Sequence, residues 1–190
     1  MNPEQKIIII TAPSGAGKTS ITRHLLAKYP QLAFSISAAT RAPRAHEKDG
    51  VDYYFLSLEA FKQKIQHNEF AEWEMVYEGK YYGTLKSELE RIWTAGQIPL
   101  LDIEVKGAIH FQERYPRLLL TLFIEPPSVD ELRRRLEMRG TETAESLYAR
   151  VNKASYELSF KHHFDKIIVN KDLQTACREA DALIEEFLGL

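Results

Sequence analysis

Residues 6–19 read KIIIITAPSGAGKT, and this stretch decides the fold class of the chain. The β-branched run Lys6–Thr11 shows no alternation of polar and apolar residues, which predicts a strand buried on both faces. After the glycine-rich turn, Ile21, Leu25 and Leu26 recur at helical spacing. A buried strand, a glycine-rich loop and a helix in this order are typical of a site that binds phosphate.

The loop carries the groups that such a site needs. Its backbone N–H groups are expected to form a nest for an anion, and the following helix adds the positive end of its dipole. Gly15 and Gly17 let the backbone approach phosphate oxygens. Lys18 is expected to reach the β- and γ-phosphates, and the Thr19 hydroxyl to ligate Mg²⁺. The residues predicted to bind the triphosphate are Ala12, Pro13, Ser14, Gly15, Ala16, Gly17, Lys18 and Thr19.

One position departs from the strict phosphate-loop pattern, which begins with glycine. Ala12 stands there. A small residue is expected to suffice at the end of the strand, with a cost only if the position needs a positive φ. The motif by itself indicates a nucleoside triphosphate and does not distinguish GTPases, motor proteins and small-molecule kinases.

Composition narrows the class of protein. The 190 residues carry a net charge of −2 and a pI near 6.3, so bulk charge gives no reason to expect a nucleic-acid or membrane partner. The single cysteine, Cys177, cannot form an internal disulfide, which is typical of a reducing compartment. No apolar run is long enough for a signal peptide or a membrane span, so we expect a cytoplasmic protein.

The rest of the chain predicts one α/β domain over 1–190. Buried strands are expected at Ile98–Ile103, Leu118–Ile124 and Lys166–Asn170, and helices at Lys86–Thr94, Val129–Met138, Ala144–Phe160 and Leu173–Leu188. Strands that alternate with helices predict a three-layer sandwich with a parallel core sheet. This core would comprise 1–36, 85–127 and 161–190.

Two segments interrupt the alternation. Residues 37–84 contain the aromatic stretch Val51–Leu56 and a hairpin signal around Glu78-Gly79, which predicts a small inserted lobe with a mixed sheet. Residues 128–160 read as helix, turn and helix, with five arginines: Arg133, Arg134, Arg135, Arg139 and Arg150. We expect this basic helical hairpin to project from the core as a lid.

Four short motifs follow one another in the inserted lobe: TRAPR at 40–44, DYYF at 52–55, EW at 72–73 and YYGT at 81–84. With them, and with DIE at 102–104, the chain resembles the guanylate kinase family, nucleoside monophosphate kinases of the P-loop class, over nearly its whole length. The resemblance implies transfer of a phosphoryl group from ATP to GMP, and to dGMP, with Mg²⁺, in purine nucleotide metabolism. It implies GMP binding by Ser37, Arg41, Arg44, Tyr53, Glu72, Tyr82, Thr84, Asp102 and Glu104, and ATP binding by the loop and by Asn170.

The chemistry of guanine fits two of these residues. Guanine presents two donors, N1–H and the N2 amino group, beside the O6 acceptor. The resemblance assigns the donors to the carboxylate of Glu72 and O6 to the hydroxyl of Ser37. Adenine would leave polar groups unpaired there, which is how a site rejects a close analogue.

The remaining roles concern charge. Arginine forks and tyrosine hydroxyls suit a phosphate, so the resemblance places the GMP phosphate against Arg41, Arg44, Tyr53 and Tyr82. Asp102 is expected to order Mg²⁺ through water, and Glu104 stands where the family usually has aspartate. A phosphate acceptor whose second pKa is near 6 needs no general base. The predicted catalytic residues are Lys18, Arg41, Arg135, Arg139 and Arg150.

Three other interpretations remain open from the sequence. A kinase of the same architecture acting on a phosphorylated sugar is disfavoured by the base-reading set Ser37, Glu72 and Asp102. A non-catalytic module that binds phosphopeptides is disfavoured by the intact Lys18-Thr19 pair. A GTPase is disfavoured because no Asn-Lys-x-Asp segment that reads guanine is present. The sequence does not decide between a monomer and a homo-oligomer.

Overall fold

The structure is a computed structural model, and it describes residues 5–115, 118–138 and 144–190. The strands in this part of the chain are β1 (Ile7–Thr11), β2 (Leu32–Phe34), β3 (Ala38–Ala39), β4 (Tyr54–Phe55), β5 (Phe70–Tyr77), β6 (Lys80–Leu85), β7 (Ile98–Asp102), β8 (Leu119–Glu125) and β9 (Lys166–Val169). The helices are α1 (Lys18–Lys28), α2 (Leu58–Gln66), α3 (Lys86–Thr94), α4 (Val105–Arg114), α5 (Val129–Met138), α6 (Ala144–Leu158) and α7 (Leu173–Leu188), with a 3₁₀ turn at Lys161–His163.

Five strands form the core sheet, in the order β2-β7-β1-β8-β9. β2 pairs in parallel with β7, and β8 with β9. All five residues of β1 are buried, as the unbroken β-branched run predicts. The predicted α/β fold with a parallel core sheet is thus confirmed. The short strands β2 and β3 and the helices α2 and α4 are additional to the predicted elements.

Four strands form a second sheet, in the order β4-β3-β6-β5. β3 and β4 are parallel, whereas β3–β6 and β5–β6 are antiparallel, so the sheet is mixed. The hairpin between β5 and β6 turns at Gly79, whose φ of +71° suits glycine. Phe61 of α2 and Phe70 of β5 stack with ring centroids 4.3 Å apart in the core of this sheet. The predicted mixed sheet is therefore present.

The chain divides into two compact units. The first contains Met1–Ile8 and Gln31–Leu119, and the second contains Ile9–Pro30 and Leu120–Leu190. The first unit holds the mixed sheet, and the second holds the glycine-rich loop with α5 and α6. The predicted boundaries of the inserted lobe at 37–84 and of the lid at 128–160 stay predictions.

Helices α5 and α6 form their own apolar cluster within the second unit. Leu132, Leu136 and Ala154 are buried, and Leu147 and Val151 pack against them. A Cβ added at Gly15 would lie 3.1 Å from Leu136, so α5 rests directly on the glycine-rich loop. Among the described residues, no helix is long and apolar enough to cross a membrane.

Candidate functional site

The glycine-rich loop adopts the conformation that its sequence predicts. Gly15 and Gly17 have φ of +95° and +100°, a region that residues with a side chain rarely adopt. Outside glycine, the described residues with positive φ are Asn68 and Leu118. Ala12 is buried at the end of the strand with an ordinary φ, so its replacement of glycine costs the loop nothing in backbone conformation.

Helix α1 starts directly after the loop. Gly17 is its N-cap and Lys18 its first residue, and the first turn contains no acidic side chain. The first backbone N–H groups of a helix have no acceptor within the helix, and the helix dipole places positive charge at the same end. Both effects make this turn favourable for an anion. Thr19 is exposed in the same turn, where its hydroxyl is available to an oxygen-seeking cation or to phosphate.

Asn170 supports the loop from the end of β9. Its buried side chain donates from Nδ2 to the carbonyl oxygen of Ala16 at 2.7 Å, and its own N–H donates to the carbonyl of Glu125 at 2.8 Å. A Cβ at Gly17 would overlap the Asn170 amide nitrogen. Asn170 was predicted to contact ATP. The structure uses its side chain to brace the loop backbone, and a contact with ATP stays a prediction.

Of the predicted catalytic arginines, Arg150 contacts the loop directly and Arg135 contacts Asn170, which braces the loop. Arg150 of α6 donates from Nη1 to the hydroxyl of Ser14 at 3.0 Å. Arg135 of α5 donates from Nη2 to the carbonyl of Asn170 and from Nε to Glu131, both at 3.0 Å. Arg139, the remaining catalytic arginine predicted in the lid, lies outside the described residues. Arg133 and Arg134 are exposed and pair with acidic residues on their own helix, as expected for arginines that face water.

In the first unit, Arg41 is already paired with an acidic residue. Its Nη1 and Nη2 donate to the two carboxylate oxygens of Glu47 at 2.6 and 2.7 Å. The two side chains are only 13% and 7% exposed. The hydrogen bonds from Arg41 lower the pKa of Glu47 to about 2, although burial opposes the shift. The pair holds the guanidinium in one orientation.

Two tyrosines surround this arginine. The Arg41 guanidinium lies 4.7 Å from the ring centroid of Tyr53, within cation–π range. Tyr53 in turn meets Tyr82 edge to face, with centroids 6.0 Å apart. Three of the four predicted phosphate ligands thus lie together. The fourth, Arg44, keeps its side chain 67% exposed and its Nη1 3.8 Å from Glu47.

The carboxyl group of Glu72 is buried in the mixed sheet, with 3% of the residue exposed. Its Oε1 accepts from the hydroxyl of Thr84 on the neighbouring strand at 2.7 Å. Burial raises the pKa of Glu72 to about 7, and the hydrogen bond from Thr84 only partly opposes the shift. A carboxyl group kept buried at such a cost to its charged form is typical of a functional position.

Helix α4 comes unusually close to this carboxyl group. A Cβ at Gly107 would lie 2.6 Å from Oε2 of Glu72, so a larger residue there would require the carboxyl group to move. Gly107 was not among the predicted site residues. The contact joins residues that are distant in sequence, and the isolated glycine inside a helical pattern was its only sequence signal.

The remaining predicted GMP ligands lie at strand ends. Ser37, half-buried, precedes β3, and its carbonyl accepts from the N–H of Tyr54 at 2.9 Å. Asp102 ends β7, and Glu104 is the N-cap residue of α4. Both acidic residues are half-buried. Sequence reasoning missed Glu47, although its position three residues after Arg44 hinted at a local ion pair.

The donor chemistry fits Mg²⁺. The hydroxyl of Thr19 and the carboxylate of Asp102 are hard oxygen ligands, the type that Mg²⁺ prefers, and Mg²⁺ usually binds through few protein groups plus phosphates and water. In the described ranges, no group of three or more His, Cys, Asp and Glu side chains could hold a metal ion by itself.

The fold and this site together define a class. A parallel sheet whose first strand leads through a glycine-rich loop into a helix is the arrangement of a P-loop nucleotide-binding protein. The first unit adds a buried carboxyl group and an arginine–tyrosine cluster, groups that suit the base and the phosphate of a nucleotide, so the class is that of a P-loop nucleotide kinase. A family model described as guanylate kinase matches residues 4–187. The chain therefore belongs to the guanylate kinase family.

Individual relatives agree with this assignment. The chain is 51% identical over 187 residues to a guanylate kinase of Bacteroides fragilis, covering 98% of this chain and 92% of that protein. It is 47% identical to a guanylate kinase of Porphyromonas gingivalis, covering 97% and 98%. The crystal structure of guanylate kinase from Anaplasma phagocytophilum superposes with a TM-score of 0.75 at 34% identity, covering 95% of this chain and 85% of that one. These matches do not favour the sugar kinase or the non-catalytic module.

Proposed function

We propose that the chain transfers the γ-phosphoryl group of ATP to GMP and releases ADP and GDP. The observation that carries the proposal is the buried carboxyl group of Glu72, held by Thr84 and covered by α4 at Gly107. Its carboxylate is a hydrogen-bond acceptor for the donors of a base, and because the position is buried, the charged form is costly unless such donors are present. Family membership and the phosphate loop support the same conclusion.

Recognition of the base follows from hydrogen-bond chemistry. Ionised Glu72 accepts from N1–H and the amino group of guanine, and the hydroxyl of Ser37 donates to O6. Thr84 orients the carboxylate and Glu104 adds an acceptor near the amino group. Adenine lacks the N1 donor and reverses the polarity at position 6, so it leaves Glu72 and Ser37 unpaired. The ribose 2′-hydroxyl has no role in this scheme, and dGMP is therefore a substrate as well.

The phosphate of GMP binds to Arg41, Arg44, Tyr53 and Tyr82. Glu47 fixes two N–H groups of Arg41, so the guanidinium keeps one orientation and loses little entropy when the phosphate binds. Tyr53 and Tyr82 complete the set with neutral donors. The exposed Arg44 adds positive charge from the same segment.

The triphosphate of ATP binds to residues 12–19 and the N-terminus of α1. Lys18 neutralises the β- and γ-phosphates, and Arg150, Arg135 and Arg139 stabilise the charge on the phosphoryl group during transfer. Asn170 keeps the loop in its binding conformation and lies at the adenine side. Mg²⁺, when bound, draws charge from the phosphate oxygens; Thr19 would hold it directly and Asp102 through water.

We further propose that the protein acts in the cytoplasm on free nucleotides, with neither nucleic acid nor a membrane as a partner. The net charge of −2 supports this, because it gives no overall electrostatic attraction to a polyanion such as nucleic acid or an anionic membrane.

An acceptor panel tests the proposed function. ADP release is measured with ATP and Mg²⁺ against GMP, dGMP, AMP, CMP and a sugar phosphate. GMP and dGMP should exceed the others by orders of magnitude in kcat/KM. Glu72→Ala should reduce the preference for GMP over AMP while leaving the KM for ATP unchanged, and Lys18→Ala should abolish turnover with every acceptor. Activity confined to the sugar phosphate, or an unchanged preference in Glu72→Ala, would refute the proposal.

A further inference from the structure

Glu88, in the first turn of α3, is a buried acidic residue that the nucleotide chemistry does not use. Only 2% of it is exposed. Oε1 accepts from the backbone N–H of Ile36 at 3.0 Å, and Oε2 accepts from the hydroxyl of Tyr54 at 2.9 Å. Arg91, on the same helix, donates to both oxygens at 2.7 and 2.8 Å. Glu88 thus accepts four hydrogen bonds from three residues.

These donors keep Glu88 ionised. Burial alone would raise the pKa of its carboxyl group, but the hydrogen bonds from Arg91, Ile36 and Tyr54 outweigh burial and hold the pKa below its usual value. Arg91 is 53% exposed, so it balances the buried charge while its own solvation is largely kept. Loss of the carboxylate would leave the Ile36 N–H and the Tyr54 hydroxyl without their acceptor.

The partners of Glu88 are neighbours of two GMP ligands. Ile36 precedes Ser37, and Tyr54 follows Tyr53. The carbonyl of Ser37 also accepts from the backbone N–H of Tyr54 at 2.9 Å. A closed ring results: Glu88 binds Ile36, the chain continues to Ser37, Ser37 binds Tyr54, and Tyr54 returns to Glu88. The ring ties two segments that are otherwise distant in sequence to one carboxylate.

The same carboxylate is close in sequence to two more ligands. Helix α3 begins at Lys86, directly after the strand β6 that carries Tyr82 and Thr84. Hydrogen bonds that meet at Glu88 thus join the neighbours of Ser37 and Tyr53 to the helix that follows Tyr82 and Thr84 in the chain. A shift of these backbone segments by about 1 Å is enough to weaken several ligand contacts together.

We propose that Glu88 is a positioning residue for GMP: it sets Ser37 and Tyr53 in register with Tyr82 and Thr84, and touches neither nucleotide. The inference rests on the proposed function, because it needs those four residues to bind GMP. It assigns to Glu88 an effect on the acceptor nucleotide alone, since all its partners lie in the first unit of the chain.

Glu88→Gln tests the inference with little change in shape. Each carboxylate oxygen accepts from Arg91 and from one other donor, so the amide NH₂ group meets Arg91 together with either Ile36 or Tyr54. The bond to Arg91 is lost at that end, and the bond to Ile36 is lost or the bond to the Tyr54 hydroxyl is reversed. We expect the KM for GMP to rise about tenfold, the free-energy equivalent of one or two lost hydrogen bonds, with the KM for ATP unchanged. Glu90→Gln is the matched control, because Glu90 is exposed on the same helix; it should leave both KM values unchanged.

Tyr54→Phe provides a second test, because it removes the hydroxyl that donates to Glu88 and keeps the aromatic side chain. It should raise the KM for GMP about threefold, and the double variant with Glu88→Gln should show less than the product of the two effects. If Glu88→Gln does not fold, as judged by circular dichroism, Tyr54→Phe decides alone, and an unchanged KM for GMP in it overturns the inference.

The outcomes are distinguishable. A merely structural role would lower the active fraction, and hence kcat, with both KM values unchanged, and that result overturns the inference while leaving GMP kinase activity intact in the wild type. A rise in the KM for ATP equal to that for GMP also overturns it. A wild-type protein that does not phosphorylate GMP refutes the proposed function, and this inference with it.

Discussion

Arg41 and Glu47 form a two-point ion pair, with Nη1 and Nη2 of the arginine 2.6 and 2.7 Å from the two carboxylate oxygens. The arginine of the TRAPR motif is therefore held in place by a residue six positions further along the chain. Its guanidinium is also stacked over Tyr53. A cation fixed from two sides is suited to a phosphate that must bind in one orientation.

The ion pair predicts a pH dependence of stability. The pKa of Glu47 falls from an ordinary 4.5 in the unfolded chain to about 2 in the folded protein. A depressed pKa stabilises the fold fully above about pH 4.5, and the contribution is lost as the pH falls towards 2. Glu47→Gln should therefore be less stable than the wild type at pH 6, with a gap that shrinks below about pH 4.5. Urea unfolding from pH 6 to pH 2.5 measures the gap.

The control for this series is Glu90→Gln, an exposed glutamate outside any such pair. Its unfolding free energy should follow the wild type at every pH. A gap for Glu47→Gln that stays constant across the range would contradict the ion-pair account.

Glu72 predicts a pH dependence of GMP binding. Its pKa is raised by burial to about 7, so the protonated form, which cannot accept from both guanine donors, gains population as the pH falls from 8 to 6. The KM for GMP should rise over this interval. Glu72→Gln should have a KM raised about 10- to 100-fold at pH 8, the effect of losing a charged hydrogen-bond partner, with only the phosphate titration near pH 6 remaining. An equally steep dependence in wild type and variant would argue against base reading by Glu72.

We expect a substitution of Gly17 in the phosphate loop to reduce turnover. In Gly17→Ala the new methyl group would overlap the Asn170 side chain and strain a φ of +100°. We expect turnover to fall at least about 100-fold, because misplaced loop N–H groups no longer meet the phosphates. Gly96→Ala is the control: its φ is +74° and the space around it is open. It should cost about 1–2 kcal/mol in unfolding free energy and leave kcat unchanged. Equal kinetic effects of the two changes would show that backbone strain alone explains the loss.

An arginine that contacts the phosphate loop and an arginine that faces water should differ in their effect on kcat. Arg150 reaches Ser14 of the loop, whereas Arg133 pairs with Glu137 at the surface. Arg150→Gln should lower kcat about 100-fold by removing charge stabilisation during transfer, and Arg133→Gln should be kinetically silent. Discontinuous assays of GDP formation at saturating ATP and GMP measure kcat for both variants. A silent Arg150→Gln would remove this arginine from the catalytic set.

Local patterns predicted the core of the fold well. The uninterrupted run at Ile7–Thr11 can be satisfied only inside a sheet covered on both faces, and the helix α3 has apolar residues at helical spacing and no breaker. The strand β2 was missed because Leu32–Phe34 is too short to show a period. The helix α4 was missed because Gly107 interrupts its pattern, and the close approach of that glycine to Glu72 appears only in the folded chain.

The supporting residues of the site were beyond sequence reasoning for a related reason. The motifs pointed to residues that are predicted to touch a ligand, such as Lys18 and Glu72, whose chemistry is tied to their neighbours in sequence. Glu88 lies 52 residues from Ile36 and 34 from Tyr54, so its role arises only when the chain has folded. The bond from Asn170 to Ala16 spans 154 residues and was equally invisible.

We propose that the protein transfers the γ-phosphoryl group of ATP to GMP and not to water. The most direct test measures ADP and GDP together by anion-exchange chromatography after incubation with ATP, GMP and Mg²⁺. The account predicts one GDP for each ADP, no GDP without the protein, and little ADP when GMP is omitted. ADP formed without matching GDP, or the absence of both products, would contradict it.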